Sequence, residues 1–166
     1  MKRLLLCVGV VVGVVILQAL VWPDIQHEMM REPLMDAVDA IRANNTTAVL
    51  KSFTEDAQVS YKDPARNIDV SMPVERAITL LEPHMRSGEL RGMASVRDLE
   101  NITPISDDVF GADVTITFYI EGNEDIPYRN IPYSRSGHVE LKRLGWLSYK
   151  IQRITTGAAD FRGRLQ

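Results

Sequence analysis

Nineteen residues close to the start, Leu4 to Trp22, carry no charged side chain and are apolar apart from Gln18 and two glycines. As a helix they would rise ~28 Å at ~1.5 Å per residue, close to the ~30 Å of a bilayer's hydrocarbon core. Lys2 and Arg3 precede the run, and Trp22-Pro23-Asp24 closes it. A basic pair before a span favours a cytoplasmic N-terminus, and a tryptophan suits the far interface. The expected layout is therefore a cytoplasmic start over 1–3, a transmembrane helix over 4–22, a folded domain over 23–157 and a tail over 158–166. That makes a single-pass protein of the cytoplasmic (inner) membrane, with its C-terminal domain on the outer, periplasmic side. A cleaved signal peptide is the rival reading. Against it, the run exceeds the usual apolar region of roughly 7–15 residues, and bulky residues stand where a cleavage site needs small ones.

The residues after Pro23 number about 140, enough to bury a core without staples. Of the 19 bases, Lys2 and Arg3 lie before the run, so the rest of the chain holds 17 against 22 acids, a net of −5. An acidic domain lacks the basic stripe that releases counterions from nucleic acid, so no nucleic-acid partner is expected. The one cysteine, Cys7, lies inside the apolar run. An intrachain disulfide and a cysteine metal cluster are both excluded. Gly9 and Gly13 make a G-x-x-x-G spacing, a face that can bring helices together, so a homodimer or a helix partner fits the segment.

Beyond the run, Met30, Leu34, Ala37, Val38 and Ile41 form one stripe at helical spacing, which predicts a helix over 25–45. Thr46 or Thr47 can cap a short second helix carrying Val49, Leu50 and Phe53. Ala57, Val59 and Tyr61 alternate with polar residues and predict a strand, followed by a polar loop over 62–69. Ser71 can cap a third helix with Pro73 in its first turn and Val74, Ala77, Ile78, Leu81 and Met85 on its apolar face. Pro83 predicts a kink or restart after Leu81, and Gly88 an end. The remainder reads as strands at 94–102, 112–120, 137–144 and 146–154, with a long loop over 121–136 and the last hairpin turning at Gly145. Val114, Ile116 and Phe118 are expected to face the helices. Helices followed by one antiparallel sheet is an α+β pattern.

Two stretches carry a resemblance. Ala40-Ile41-Arg42-Ala43-Asn44-Asn45, with Val49-Leu50-Lys51-Ser52-Phe53-Thr54-Glu55-Asp56-Ala57, resembles the passage from short helix to first strand in the NTF2-like (SnoaL-like) superfamily. Leu144-Gly145-Trp146-Leu147-Ser148-Tyr149-Lys150-Ile151 resembles that superfamily's closing hairpin. The likeness covers roughly residues 28 to 155, and Pro83 and the loop over 121–136 depart from the simplest version. It implies an α+β cone, with N-terminal helices packed on a bent antiparallel sheet and an apolar pocket between them. The superfamily holds isomerases, hydratases, cyclases, transport factors and periplasmic scaffolds, so the fold does not select a function. Its scaffold members are often tethered by one N-terminal helix.

Enzymes on this fold commonly use a pocket carboxylate or histidine as general base. The weak catalytic candidates are Asp63, His84, Asp113 and His138. Tyr61, Tyr119 and Tyr149 are the candidate ligand-binding residues. A His–Asp pair could share a proton, but no spacing forces one together. Each candidate also has a plain structural reading. Asp63 before Pro64 suits a turn, His84 a helix C-terminus, Asp113 a solvated strand start, and the tyrosines half-buried sheet positions. His27, His84 and His138 show no metal-ligand spacing, so neither a metal nor a cofactor is expected. The leading expectation is an anchored, non-catalytic domain that binds a partner protein or a small apolar ligand outside the membrane. The alternatives are a SnoaL-like acid/base enzyme on a small apolar substrate and a small accessory subunit of a membrane complex.

Overall fold

In the computed structural model the described residues are 2–87, 93–119 and 132–157; side chains are described from Trp22 onward, excepting 93–95, 97–98, 116–119 and 132–135. The element order is α1 (Lys2–Arg42), α2 (Thr46–Lys51), β1 (Phe53–Asp63), a 3-10 turn (Pro64–Arg66), β2 (Ile68–Pro73) and α3 (Val74–Ser87). Then follow β3 (Met93–Pro104), β4 (Val109–Tyr119), β5 (Pro132–Gly145) and β6 (Ser148–Gly157).

Helix α1 joins the apolar run and the first domain helix into one element that passes through Pro23 and Pro33. Among the described residues no helix is long and apolar enough to cross a membrane; the side chains of Leu4–Val21, with Gly9 and Gly13, lie outside the description. The stripe read from the sequence is the buried one: Met30, Leu34, Ala37 and Val38 are buried, and Ile41 packs at the margin. Asn44 takes a left-handed φ of 54° after the helix, a conformation asparagine tolerates.

Four expectations about the next segments change. Helix α2 is capped by Asn45, whose side chain accepts from the Ala48 N–H at 3.0 Å, while Thr46 lies inside the first turn. The polar loop becomes a tight 3-10 turn and a strand, β2, paired antiparallel with β1. Ser71 therefore sits in β2 opposite Ser60, the two hydroxyls 3.0 Å apart, and α3 begins at Val74. Pro83 lies within α3 without ending it.

The six strands form one sheet in the order β2-β1-β6-β5-β4-β3. The expectation of an antiparallel sheet is corrected here: β1 and β6 run parallel, so the sheet is mixed. The reason is topological. Strand β6 returns from its hairpin with β5 to the free edge of β1, and the direction of β1 was set before the helix α3 crossover.

Helices and sheet meet over Val96, Leu99, Ala112, Val114, Val139, Leu141 and Ile151, all nearly inaccessible. Burying one such aliphatic side chain is worth about 1.5–3 kcal/mol. Val114 faces the helices as expected; the side chains of Ile116 and Phe118 lie outside the description. The last hairpin turns over Trp146 and Leu147, not at Gly145 alone, because β6 starts only at Ser148. The loop expected over 121–136 is shorter, because β5 already starts at Pro132 and pairs with β4; its residues 121–131, Gly88 and the tail over 158–166 fall outside the described residues.

Candidate functional site

Ala112 and Val114 point to the core, so Asp113 between them points to the other face of the sheet. The same alternation in β5 buries Val139 and turns His138 outward. Register pairs Asp113 with His138 directly across β4 and β5. The His138 Nδ1 lies 3.0 Å from Asp113 Oδ1, so the ring donates there and keeps Nε2 as its second nitrogen. On the neighbouring strand Asn101 donates its side-chain amide to Asp113 Oδ2 at 2.8 Å. Both carboxylate oxygens are thus engaged. These bonds, Asn101 first and His138 second, hold the Asp113 carboxyl below its ordinary value of 3.8.

Gly111 lies beneath the ring: a Cβ there would stand 2.9 Å from His138 Nε2. Glycine at this strand position lets the imidazole lie close to the backbone. A groove of about 470 Å³ runs past the pair, edged by Glu100, Thr115, Ser136 and Thr155. Thr115 and Ser136 face each other with their hydroxyl oxygens 3.2 Å apart. The pair is solvent-facing, with side-chain exposures of 44% for His138 and 52% for Asp113. It has the parts of an acid/base dyad, a histidine oriented by a carboxylate, but an open surface where catalysis usually needs a dry one.

The other two catalytic candidates stand apart from this pair. Asp63 is 4% exposed. Its carboxylate accepts from the N–H groups of Ala65 and Arg66 at 3.1 and 3.3 Å and so caps the 3-10 turn. That is turn chemistry. His84 is an exposed residue in the last turn of α3, where a histidine complements the helix dipole.

Of the tyrosines, Tyr149 is buried rather than half-buried. Its hydroxyl accepts from Gln26 Nε2 at 3.2 Å, and its ring meets Phe110 edge-on at 5.9 Å. It lines a second groove, about 580 Å³, between α1, α2 and the start of β6, with Asp36, Asp39, Lys51 and Lys150 at the rim. Tyr61 lies half-buried on β1. The Tyr119 side chain is outside the description. Among the described residues no group of three or more His, Cys, Asp or Glu side chains could hold a metal ion.

Asn101 and Gly111 were not among the candidate site residues read from the sequence. Asn101 takes a φ of 53° within β3, next to irregular pairing with β4. An asparagine inside a strand pattern is the signal that could have found it. Gly111 offered only the general hint that a strand glycine marks a close approach.

The helices packed on a bent mixed sheet make this an NTF2-like α+β fold. Solved structures share it. An NTF2-like protein with a cystatin-like fold from Novosphingobium aromaticivorans superposes with a TM-score of 0.58 at 13% identity, over 89% of this chain and 90% of that one. A protein provisionally assigned as a ketosteroid isomerase from Shewanella frigidimarina gives 0.54 at 15% identity, over 77% and 94%. An NTF2-like protein of unknown function from Shewanella oneidensis gives 0.53 at 7%, over 76% and 93%. At such identities the likeness concerns the fold alone. No protein-family model matches the sequence, and no curated protein does.

Proposed function

We propose that this chain is a membrane-tethered binding domain. In this reading Leu4–Trp22 spans the cytoplasmic membrane, the NTF2-like domain stands on the outer side, and it holds a partner protein or a small apolar ligand without chemical turnover. The observation that carries the reading is where the ionisable groups lie. The described meeting surface of helices and sheet is mainly apolar, from Met30 and Leu34 on α1 to Leu141 and Ile151 on the sheet, and the two ionisable α1 side chains that reach the sheet, His27 and Arg31, are engaged by the backbone carbonyls of Leu99 and Val96. The one close pair among the four candidates is on the open face instead. Binding spreads over several contacts with a few anchors, whereas acid/base catalysis concentrates on one or two groups.

A second reading, an acid/base enzyme working in the groove beside His138, is favoured by the orientation of that ring by Asp113. The two separate in one experiment. In cells lacking their own copy, full-length chains carrying Asp63→Asn, His84→Gln, Asp113→Asn or His138→Gln should each restore what the deletion loses. A chain starting at Pro23 should not, because tethering sets the local concentration at the partner. If one of the four fails while folded and membrane-bound, the enzyme reading replaces the binder. If the truncated chain works fully, tethering is not part of the function.

A further inference from the structure

The turn between β5 and β6 is unusual in its side chains. Turns favour Gly, Asn, Asp, Pro and Ser, whose backbone habits suit them. This one runs Leu144-Gly145-Trp146-Leu147, with Leu144 at 53% exposure and Trp146 at 75%. A Cβ on Gly145 would meet nothing within 4 Å, so the backbone there is open to solvent.

The tip also meets α1. The indole of Trp146 stacks on that of Trp22, centroids 5.8 Å apart and planes 20° from parallel. Trp22 is the last residue of the apolar run, and α1 carries that run away from the domain without interruption. The eighteen residues from Leu4 to Val21 reach ~27 Å along the helix, close to one hydrocarbon thickness. The level of Trp22 is therefore the level at which a spanning α1 would leave the hydrocarbon, where amphipathic indoles concentrate. A hairpin far away in sequence brings a second indole to that same level. The two strands behind the tip carry Lys142, Arg143 and Lys150, charges that a headgroup layer attracts, with the Asp107-Asp108 loop bonded to Arg143 beside them.

We propose that the β5–β6 tip is a second membrane contact, with Trp146 and Leu144 seated in the interfacial layer of the bilayer beside Trp22. The proposal rests on the reading of Leu4–Trp22 as a span. The consequence is mechanical. A domain on a single helix can swing and roll, whereas one held at the helix exit and at a hairpin tip keeps one orientation to the membrane.

The chain has two tryptophans, so each can be observed alone. The full chain is reconstituted in phosphatidylcholine–phosphatidylglycerol vesicles whose acyl chains carry bromine near the headgroup or near the tail end. In the Trp22→Phe variant, Trp146 should emit at shorter wavelength than in water and lose about half its emission to shallow bromines, with little loss to deep ones, as an interfacial indole does. In the Trp146→Phe variant, quenching of Trp22 reports on the span itself. Quenched Trp22 with unquenched Trp146 overturns the hairpin contact and leaves the tether standing. An unquenched Trp22, with the protein released by alkali, overturns both. Short-wavelength Trp146 emission that no bromine quenches would put this indole against protein and also overturn the proposal.

Discussion

The imidazole of His138 and the carboxylate of Asp113, 25 positions apart in the chain, meet at 3.0 Å on the solvent-facing side of the sheet. Asn101 completes the arrangement from the next strand. The carboxylate is held below its ordinary value, so this group favours the folded state only while it is ionised. That contribution is complete above the unfolded value of 3.8 and disappears as pH falls through the lower folded value. Urea midpoints measured between pH 2 and 6 should show Asp113→Asn flattening the acid limb. The difference at neutral pH should stay below about 1 kcal/mol, since both side chains are half exposed. An unchanged acid limb would mean that the bonds to Asp113 are absent in solution.

Two glycines in adjacent strands should respond differently to alanine. At Gly111 the obstruction is the His138 ring at 2.9 Å, a half-exposed side chain that can swing away. At Gly137 the obstruction is the Thr155 carbonyl oxygen at 2.8 Å, part of the paired β6 backbone. Gly137→Ala should cost about 1–3 kcal/mol as an overpacking change. Gly111→Ala should cost less and should separate His138 from Asp113, visible as a shifted imidazole resonance. Equal costs would contradict this geometry.

Asp63 should behave as a structural residue. Replacing it by alanine removes the acceptor for two backbone N–H groups and should cost about 0.5–2 kcal/mol by denaturant unfolding. Asparagine keeps an acceptor oxygen and should recover most of that loss. Recovery by asparagine is the result that an essential ionised carboxylate would not permit.

Tyr149→Phe keeps the ring against Phe110 and removes only the acceptor for Gln26. A cost of about 0.5–1.5 kcal/mol is expected, the ordinary net worth of a hydrogen bond. Leu141→Ala, at a site with no accessible surface, should cost about 2–5 kcal/mol. If Tyr149→Phe costs as much as Leu141→Ala, the hydroxyl does more than meet Gln26.

Periodicity was enough to read the buried stripe of α1, the apolar face of α3 and the inward place of Val114 on β4, because each follows from spacing within one element. The apolar run, the acidic balance and the lone Cys7 are likewise properties of the chain alone. Partners across elements were beyond reach. The pairing of Asp113 with His138 depends on the register of β4 against β5, and a shift of one residue would turn either side chain to the other face. The parallel contact of β6 with β1 joins segments nearly a hundred residues apart, and no local pattern encodes strand direction. The 3-10 turn and β2 were missed because Pro64 and Asn67 read as a loop and Ser71-Met72-Pro73 as a helix start, which hid the short alternation of Ile68, Val70 and Met72 that pairs with β1. Trp146 could be read from sequence as a strand residue. Its exposed place at a hairpin tip, against Trp22, was decided only when the last hairpin folded back along α1.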